Sequence, residues 1–315
     1  MALSASGKKS FVLLGSFVPR TFIPKVQRNM SSTILHKSGG DLKYHTLHVT
    51  TPKPFVYHVE LNRPKNLNTF NKDMWLEIEQ CFENLSASPE CRVIVLSAIG
   101  KHFTGGLDLA DAMKFGQELG AVEDVARKAV LLEHIIKLYQ NSISSLEVCP
   151  KPVITAIHSA CIGAGVDLIT AADIRYCSED AFFCVKEVDI GMAADVGVLQ
   201  RLPKVVGSES LARELCFTAR RFGAAEAHSF GLVSKVFPTK EACVEGALAL
   251  AATIAEKSPV AVQATKRNIV YSQSRPNQDG LDHIRQMNTI NMQSEDFAKA
   301  AVSSLTKEQP TFAKL

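Results

Sequence analysis

Apolar and polar positions alternate from Phe55 to Asn62 (FVYHVELN) and Arg63-Pro64 follow, so this stretch predicts a strand closed by a turn. From Asn71, a residue type suited to an N-cap, Met74, Ile78, Cys81, Phe82 and Leu85 recur at steps of three and four. That spacing predicts a helix with one apolar stripe. Arg92 to Ala98 (RVIVLSA) is a continuous apolar run, the signature of a buried strand. The helical spacing returns in Val125, Ala129, Leu132, Ile136, Tyr139 and Ile143, and Cys149-Pro150-Lys151-Pro152 stops it. PVITAI then reads as a third strand, and Gly163 to Ala172 as the start of a third helix. Strand and helix in this alternation predict an α/β core with largely parallel pairing.

Past about Pro238 the strand patterns cease. Val244, Ala247, Ala251 and Ile254 share one helical face, Pro259 opens another helix, and a third is expected from about Asp279 to Phe297. These stripes cannot all be buried within the segment itself, so a cap on the core and an oligomer contact are both expected. The expected organisation is a leader at 1–40, a core at 45–237 and a helical segment at 238–315.

Charge changes the picture at the N-terminus. The formal net charge of +3 arises from 35 Lys and Arg against 32 Asp and Glu. Six of the basic residues (Lys8, Lys9, Arg20, Lys25, Arg28, Lys37) lie in the first forty residues, which hold no acid, leaving 29 basic against 32 acidic residues in the body. An acidic body does not fit a nucleic-acid binder. Seven serines and scattered basic residues without acids make the first forty residues resemble a mitochondrial transit peptide. Ala313-Lys314-Leu315 lies close to the Ser-Lys-Leu peroxisomal signal. No apolar run approaches the roughly 20 residues of a membrane span. Eight cysteines without Cys-x-x-Cys spacing or nearby metal-spaced His read as buried free thiols.

Candidate chemistry sits in three places. The turn GKHFTGGLDL (100–109) offers Gly105 and Gly106 for close backbone approach, with Leu107, Asp108 and Leu109 leading into a helix. The turn ACIGAGVDL (160–168) repeats that design, with Ala164 and the acid Asp167 in the first helical turn. Taken singly, each is as well explained by a tight turn. Together they supply two N–H donors that could converge on an oxyanion. The run VKEVDIGMAADVG adds Glu187 and Asp195 among apolar residues, where a carboxyl tends to keep its proton and two acids can share one. There is no G-x-S-x-G, H-E-x-x-H or G-x-x-x-x-G-K-[ST] run, so serine hydrolysis, metalloprotease and phosphate-loop readings drop out. His102 and His158 adjoin the turns but read as structural. Lys65, Lys101 and Lys266 are candidates for contact with phosphates, although a solvated surface lysine is the better explanation of each.

LNRPKNLN (61–68), HFTGGLDL (102–109), the block from Lys151 to Gly207 and the A-x-E-A-x-x-x-G-L-V run at 224–233 resemble the crotonase, or enoyl-CoA hydratase/isomerase, superfamily. The resemblance spans about residues 45–310. It implies a spiral core of repeated ββα units with a helical C-terminal oligomerisation segment and a homotrimer or homohexamer. It also implies an acyl-CoA thioester substrate, with no redox cofactor and no metal. Carried over, the oxyanion N–H groups fall on Leu107 and Ala164, where the family often has Gly at the second place. Hydratases have Glu at both acid positions; here they are Asp167 and Glu187. With Asp195, where hydratases generally carry Gly, the set resembles the branch that converts 3,5-dienoyl-CoA to 2,4-dienoyl-CoA. The roles implied are Glu187 as base at carbon 2, Asp195 as acid at carbon 6 and Asp167 as a tuning group. Hydration and delta(3)-delta(2) isomerisation of enoyl-CoA are the alternatives on the same scaffold.

Overall fold

In the computed structural model, which describes residues 43–315, the run FVYHVELN forms a strand at Val56–Leu61, as its alternation requires. The leader expected at 1–40 lies outside the described residues. The strands are β1 (Leu47–Lys53), β2 (Val56–Leu61), β3 (Val93–Ala98), β4 (Val153–Ile157), β5 (Ala160–Ile162), β6 (Ile174–Ser178), β7 (Phe182–Cys184), β8 (Phe222–Gly223) and β9 (Lys235–Phe237). They make a six-stranded sheet in the order β1-β2-β3-β4-β6-β9 and a three-stranded sheet in the order β5-β7-β8. The large sheet is parallel except for the β1–β2 pair. β4 and β5, then β6 and β7, each give one strand to each sheet before the chain turns helical. The chain therefore advances by ββα units that step between two sheets.

β3 explains its own continuous apolar sequence. Ile94 and Leu96 face the main core, while Val93 and Val95 face a second cluster on the opposite side of the sheet. Helix α1 (Lys72–Ala87) begins where expected: the Asn71 side chain accepts from the Met74 N–H at 3.1 Å, and Met74, Trp75, Ile78, Cys81, Phe82 and Leu85 are buried. Burying each such large apolar side chain stabilises the fold by about 1.5–3 kcal/mol before entropy is counted.

Helices α2 (Leu109–Gly120) and α3 (Val125–Val148) follow. The α3 stripe is only half used: Ile143 is fully buried and Tyr139 stacks on Trp75 at 4.4 Å, but Val125 is 77% exposed. The first turns of α3 extend past the part of α1 that could cover them. The short α4 (Ala164–Thr170) is buried at every residue. Helices α5 (Val198–Val206), α6 (Glu209–Thr218) and α7 (Ala224–Ser229) pack beyond it.

Helix α8 (Lys240–Ala255) lays Cys243, Ala247, Ala251 and Ala255 on Val56, Val93, Val95, Ile154 and Ala156 of the large sheet. It is thus the cap expected for the second sheet face. Helix α9 (Pro259–Ser272) is followed by two helices, α10 (Asn277–Asn291) and α11 (Glu295–Thr306), where the apolar spacing predicted one from Asp279 to Phe297. The chain breaks at Met292 because Ser294 caps a new start, accepting from the Phe297 N–H at 3.2 Å. All eight cysteines are free and buried.

Candidate active site

The first glycine turn frees one backbone N–H by the way it pairs. Phe70 donates to the Gly106 carbonyl at 2.8 Å and accepts from the Asp108 N–H at 3.1 Å, forming a parallel bridge to Leu107. In such a bridge the residue between the two bonded groups turns its own N–H the other way. Leu107 accordingly donates to no group among the described residues. Gly106 is required here: its φ is +90°, and a Cβ would stand 2.8 Å from the Ile162 carbonyl oxygen.

The second donor comes from a helix start. Ala164 is the first residue of α4, so its N–H has no carbonyl one turn back to bond. Gly163 precedes it with a φ of +53° and donates to the Cys184 carbonyl at 2.9 Å, which fixes the entry to the helix. The two segments lie against each other, since a Cβ on Gly165 would strike Thr104 Cγ2 at 2.4 Å. Thr104 pairs with Cys161 of β5 in a parallel bridge. Two unpaired N–H groups thus stand on adjoining backbone, an arrangement that can polarise a carbonyl oxygen.

Two acids stand at this niche, on α4 and on the turn after β7, and a third lies on the segment that leads into α5. Asp167 stands on α4, three residues after Ala164, and is fully buried. Its Oδ1 accepts from the Val198 N–H, the first of α5, at 2.6 Å. Glu187 begins a 3-10 turn at Glu187–Ile190, and its Oε1 lies 3.3 Å from where a Gly163 Cβ would be. Gly163 therefore leaves room for Glu187 beside the niche. Asp195 is half-buried in the irregular segment before α5, and its charge is felt by both other acids.

Burial pushes all three carboxyls above their ordinary range. For Asp167 the shift is large, and the neighbouring Glu187 charge adds to it while the Val198 N–H opposes it. For Glu187, a hydrogen bond with Asp167 is among the contacts that offset burial. Asp167 Oδ2 and Glu187 Oε2 are both buried, and neither finds a donor elsewhere. Two ionised carboxylates could not satisfy each other, whereas a proton on either one can. The sequence pattern pairs Glu187 with Asp195; Asp167 and Asp195 both act on Glu187, Asp167 the more strongly. Asp195 stands apart, raised by burial and opposed only by its own backbone N–H.

The other sequence candidates have surroundings of their own. Asp108 caps α2 through the Asp111 N–H at 3.2 Å and pairs with Arg63 at 3.1 Å. Burial would raise its carboxyl, but those donors hold it below the usual range. Gly105 packs on Thr69 and Leu67, and Leu109 is exposed. Lys266 is buried, donating to the Leu146 and Lys151 carbonyls at 2.9 Å each and pairing with Asp173 at 2.7 Å. It ties α9 to the core and cannot meet a phosphate, whereas Lys65 and Lys101 are exposed. His102 bonds Ser159, and His158 bonds the Gly100 carbonyl with its imidazole pushed down to about 4 by burial. The run around Glu187 is less buried than its apolar sequence suggests: Val188 and Ile190 are 41% and 47% exposed and form a rim. The Val198 N–H was invisible to sequence reasoning because a backbone donor carries no residue-type signal.

The family model described as enoyl-CoA hydratase/isomerase matches residues 53–314. A human protein named Delta(3,5)-Delta(2,4)-dienoyl-CoA isomerase, mitochondrial, is 50% identical over 279 residues, covering 87% of this chain and 84% of that one. An Arabidopsis thaliana protein named as the peroxisomal form of that isomerase is 45% identical over 260 residues, covering 82% of this chain and 93% of that one. Among solved structures, a putative enoyl-CoA hydratase from Streptomyces coelicolor A3(2) superposes with a TM-score of 0.79 at 25% identity, covering 89% of this chain and 98% of that one.

Proposed function

The chain belongs to the enoyl-CoA hydratase/isomerase family, and from that premise we propose that it converts 3,5-dienoyl-CoA thioesters to their 2,4-conjugated isomers in the beta-oxidation of unsaturated fatty acids. The observation that supports this reading is a set of three carboxyls, each raised by burial, of which Asp167 lies on the helix that Ala164 begins and Glu187 lies against Gly163. Adding water needs two carboxyls at one carbon–carbon bond. Moving a diene needs a proton lifted at one carbon and another delivered four carbons away.

The Leu107 and Ala164 N–H groups polarise the thioester oxygen. Glu187 takes a proton from carbon 2, and the charge spreads through the thioester oxygen and the diene. Asp195, whose carboxyl burial shifts upward and so toward holding its proton, delivers a proton at carbon 6. The double bonds move from 3,5 to 2,4, and nothing is oxidised or reduced. Each turnover leaves Glu187 protonated and Asp195 ionised, so a proton must return before the next. Asp167, hydrogen-bonded to Glu187 and electrostatically coupled to Asp195, lies on that return route. The substrate carries its own CoA, and the mechanism needs no further cofactor.

Hydration and delta(3)-delta(2) isomerisation are the alternatives. Incubating the purified protein with a 3,5-dienoyl-CoA and, separately, with crotonyl-CoA distinguishes them. Rising absorbance of a conjugated 2,4-diene is the expected result; loss of the enoyl band of crotonyl-CoA without diene formation would overturn it. Assembly as a trimer or a dimer of trimers belongs to the same reading, supported by exposed Ile269, Leu281 and Ile290 on α9 and α10. So does a mitochondrial or peroxisomal address, since relatives are named for each.

A further inference from the structure

Asp195 has to be aimed, yet the segment that carries it has no secondary structure of its own. Residues 192–197 lie between the 3-10 turn at Glu187–Ile190 and α5. Among the described residues, α5 holds the end of this stretch, its Gln200 and Arg201 N–H groups donating to the Gly197 carbonyl, and a single side chain from outside the segment and α5 reaches 193–197: Gln140 Nε2 donates to the Asp195 carbonyl at 2.8 Å. Gln140 stands on α3, and the residues one and two turns further along the same face continue the hold. Ser144 and Glu147 bind Arg201 at 3.0 and 2.7 Å. The Arg201 guanidinium lies across Gly197, where a Cβ would meet its Nη1 at 1.9 Å and where φ is +136°. A polar stripe of α3 thus clamps the 195–201 segment at both ends. A cavity of about 540 Å³ opens beside it, bordered by Gln140, Ser144, Asp195 and Arg201, while the flanking Ala194 and Val196 pack into the core and leave the Asp195 carbonyl to Gln140.

The consequence concerns where the proton goes. Removing a proton from carbon 2 of a 3,5-diene leaves charge shared by carbons 2, 4 and 6. Protonation at carbon 6 gives the 2,4-diene, at carbon 4 gives a 2,5-diene, and at carbon 2 returns the substrate. The carbon that receives the proton is set by where the donor carboxyl stands. We infer that Gln140 is a positioning residue that fixes the Asp195 backbone so that its carboxyl serves carbon 6. This rests on the roles proposed above for Glu187 and Asp195.

The test is Gln140→Met, which keeps the side-chain length and removes the donor, followed in heavy water with a 3,5-dienoyl-CoA. Two rates are read: deuterium entry at carbon 2, which reports Glu187, and 2,4-diene formation, which needs Asp195. The expected result is isomerisation about tenfold to a hundredfold slower, as for a displaced catalytic group. Exchange at carbon 2 and KM stay near wild type, and some 2,5-diene appears. Gln140→Asn, with the amide drawn back by one carbon, should fall between. Equal loss of both rates would mean that α3 is merely destabilised and would overturn the inference. So would an unchanged ratio of isomerisation to exchange. Should Asp195→Asn keep forming the 2,4-diene, the assignment of Asp195 itself fails, whatever Gln140 does.

Discussion

The niche at Leu107 and Ala164 is built of backbone, whereas the proton carriers at 167, 187 and 195 are side chains brought from separate elements. The niche depends on a bridge to Phe70 and a helix start after Gly163, both enforced by glycines with positive φ. Any residue type at 107 or 164 other than proline would keep the N–H. The acid set works the other way: the backbone around 187–197 tolerates exposure and irregularity, but the carboxyls themselves are poised by burial. Backbone groups stay uncharged at any pH, whereas the charge of a carboxyl depends on its surroundings.

Substituting an acid should therefore stop proton transfer while leaving the niche intact. Asp195→Asn is expected to lower isomerisation about 10²–10⁴-fold, the usual worth of a general acid, with thioester affinity little changed. Measuring kcat and KM separately checks it; parallel loss of both would mean that the two regions are not independent. Next in size is Gly106→Ala. The added methyl meets the Ile162 carbonyl oxygen at 2.8 Å on a backbone with φ +90°, so the Leu107 donor must move. Loss of one such donor costs about 10²–10³ in kcat. A variant with wild-type turnover would show that Leu107 does not hold the oxyanion.

The two regions also differ in how far the sequence disclosed them. Glycines at 105, 106 and 163 announce turns because only a few backbone conformations need glycine, whereas the assignment of the Leu107 and Ala164 N–H groups to an oxyanion came from the family resemblance. The alternation at Phe55–Asn62, the Asn71 cap and the apolar run of β3 were legible for the same local reason. Which acid would meet Glu187 was not, because Asp167 and Glu187 lie on α4 and on the 3-10 turn after β7, and only the pairing of β5 with β7 sets them side by side. Lys266 likewise looks like a surface cation in sequence, while the fold buries it against Asp173. Periodicity marks a face as apolar but does not say what covers it, which is why the α3 stripe reads as buried along its whole length and is not.

The smallest effect is also the one that bears most directly on the shared proton. Asp167 keeps a raised carboxyl in the folded state, whereas an unfolded Asp titrates near 3.9. Between that value and the folded one, the folded protein holds a proton that the unfolded chain has released. Stability must then fall as pH rises through this window, and it levels off once both states are ionised. Asp167→Asn removes the titration but keeps an oxygen for the Val198 N–H, and its amide can donate to Glu187 Oε2. The variant should gain about 0.5–2 kcal/mol over wild type near pH 8, the common scale when a group held for function is relieved. The gain should vanish near pH 3.5, where Asp167 is largely neutral in both states. Thermal melts of the two proteins across that range measure the difference directly. A gap that stays constant with pH would mean that Asp167 and Glu187 share no proton, and Asp167 would then serve only to tie α4 to the start of α5.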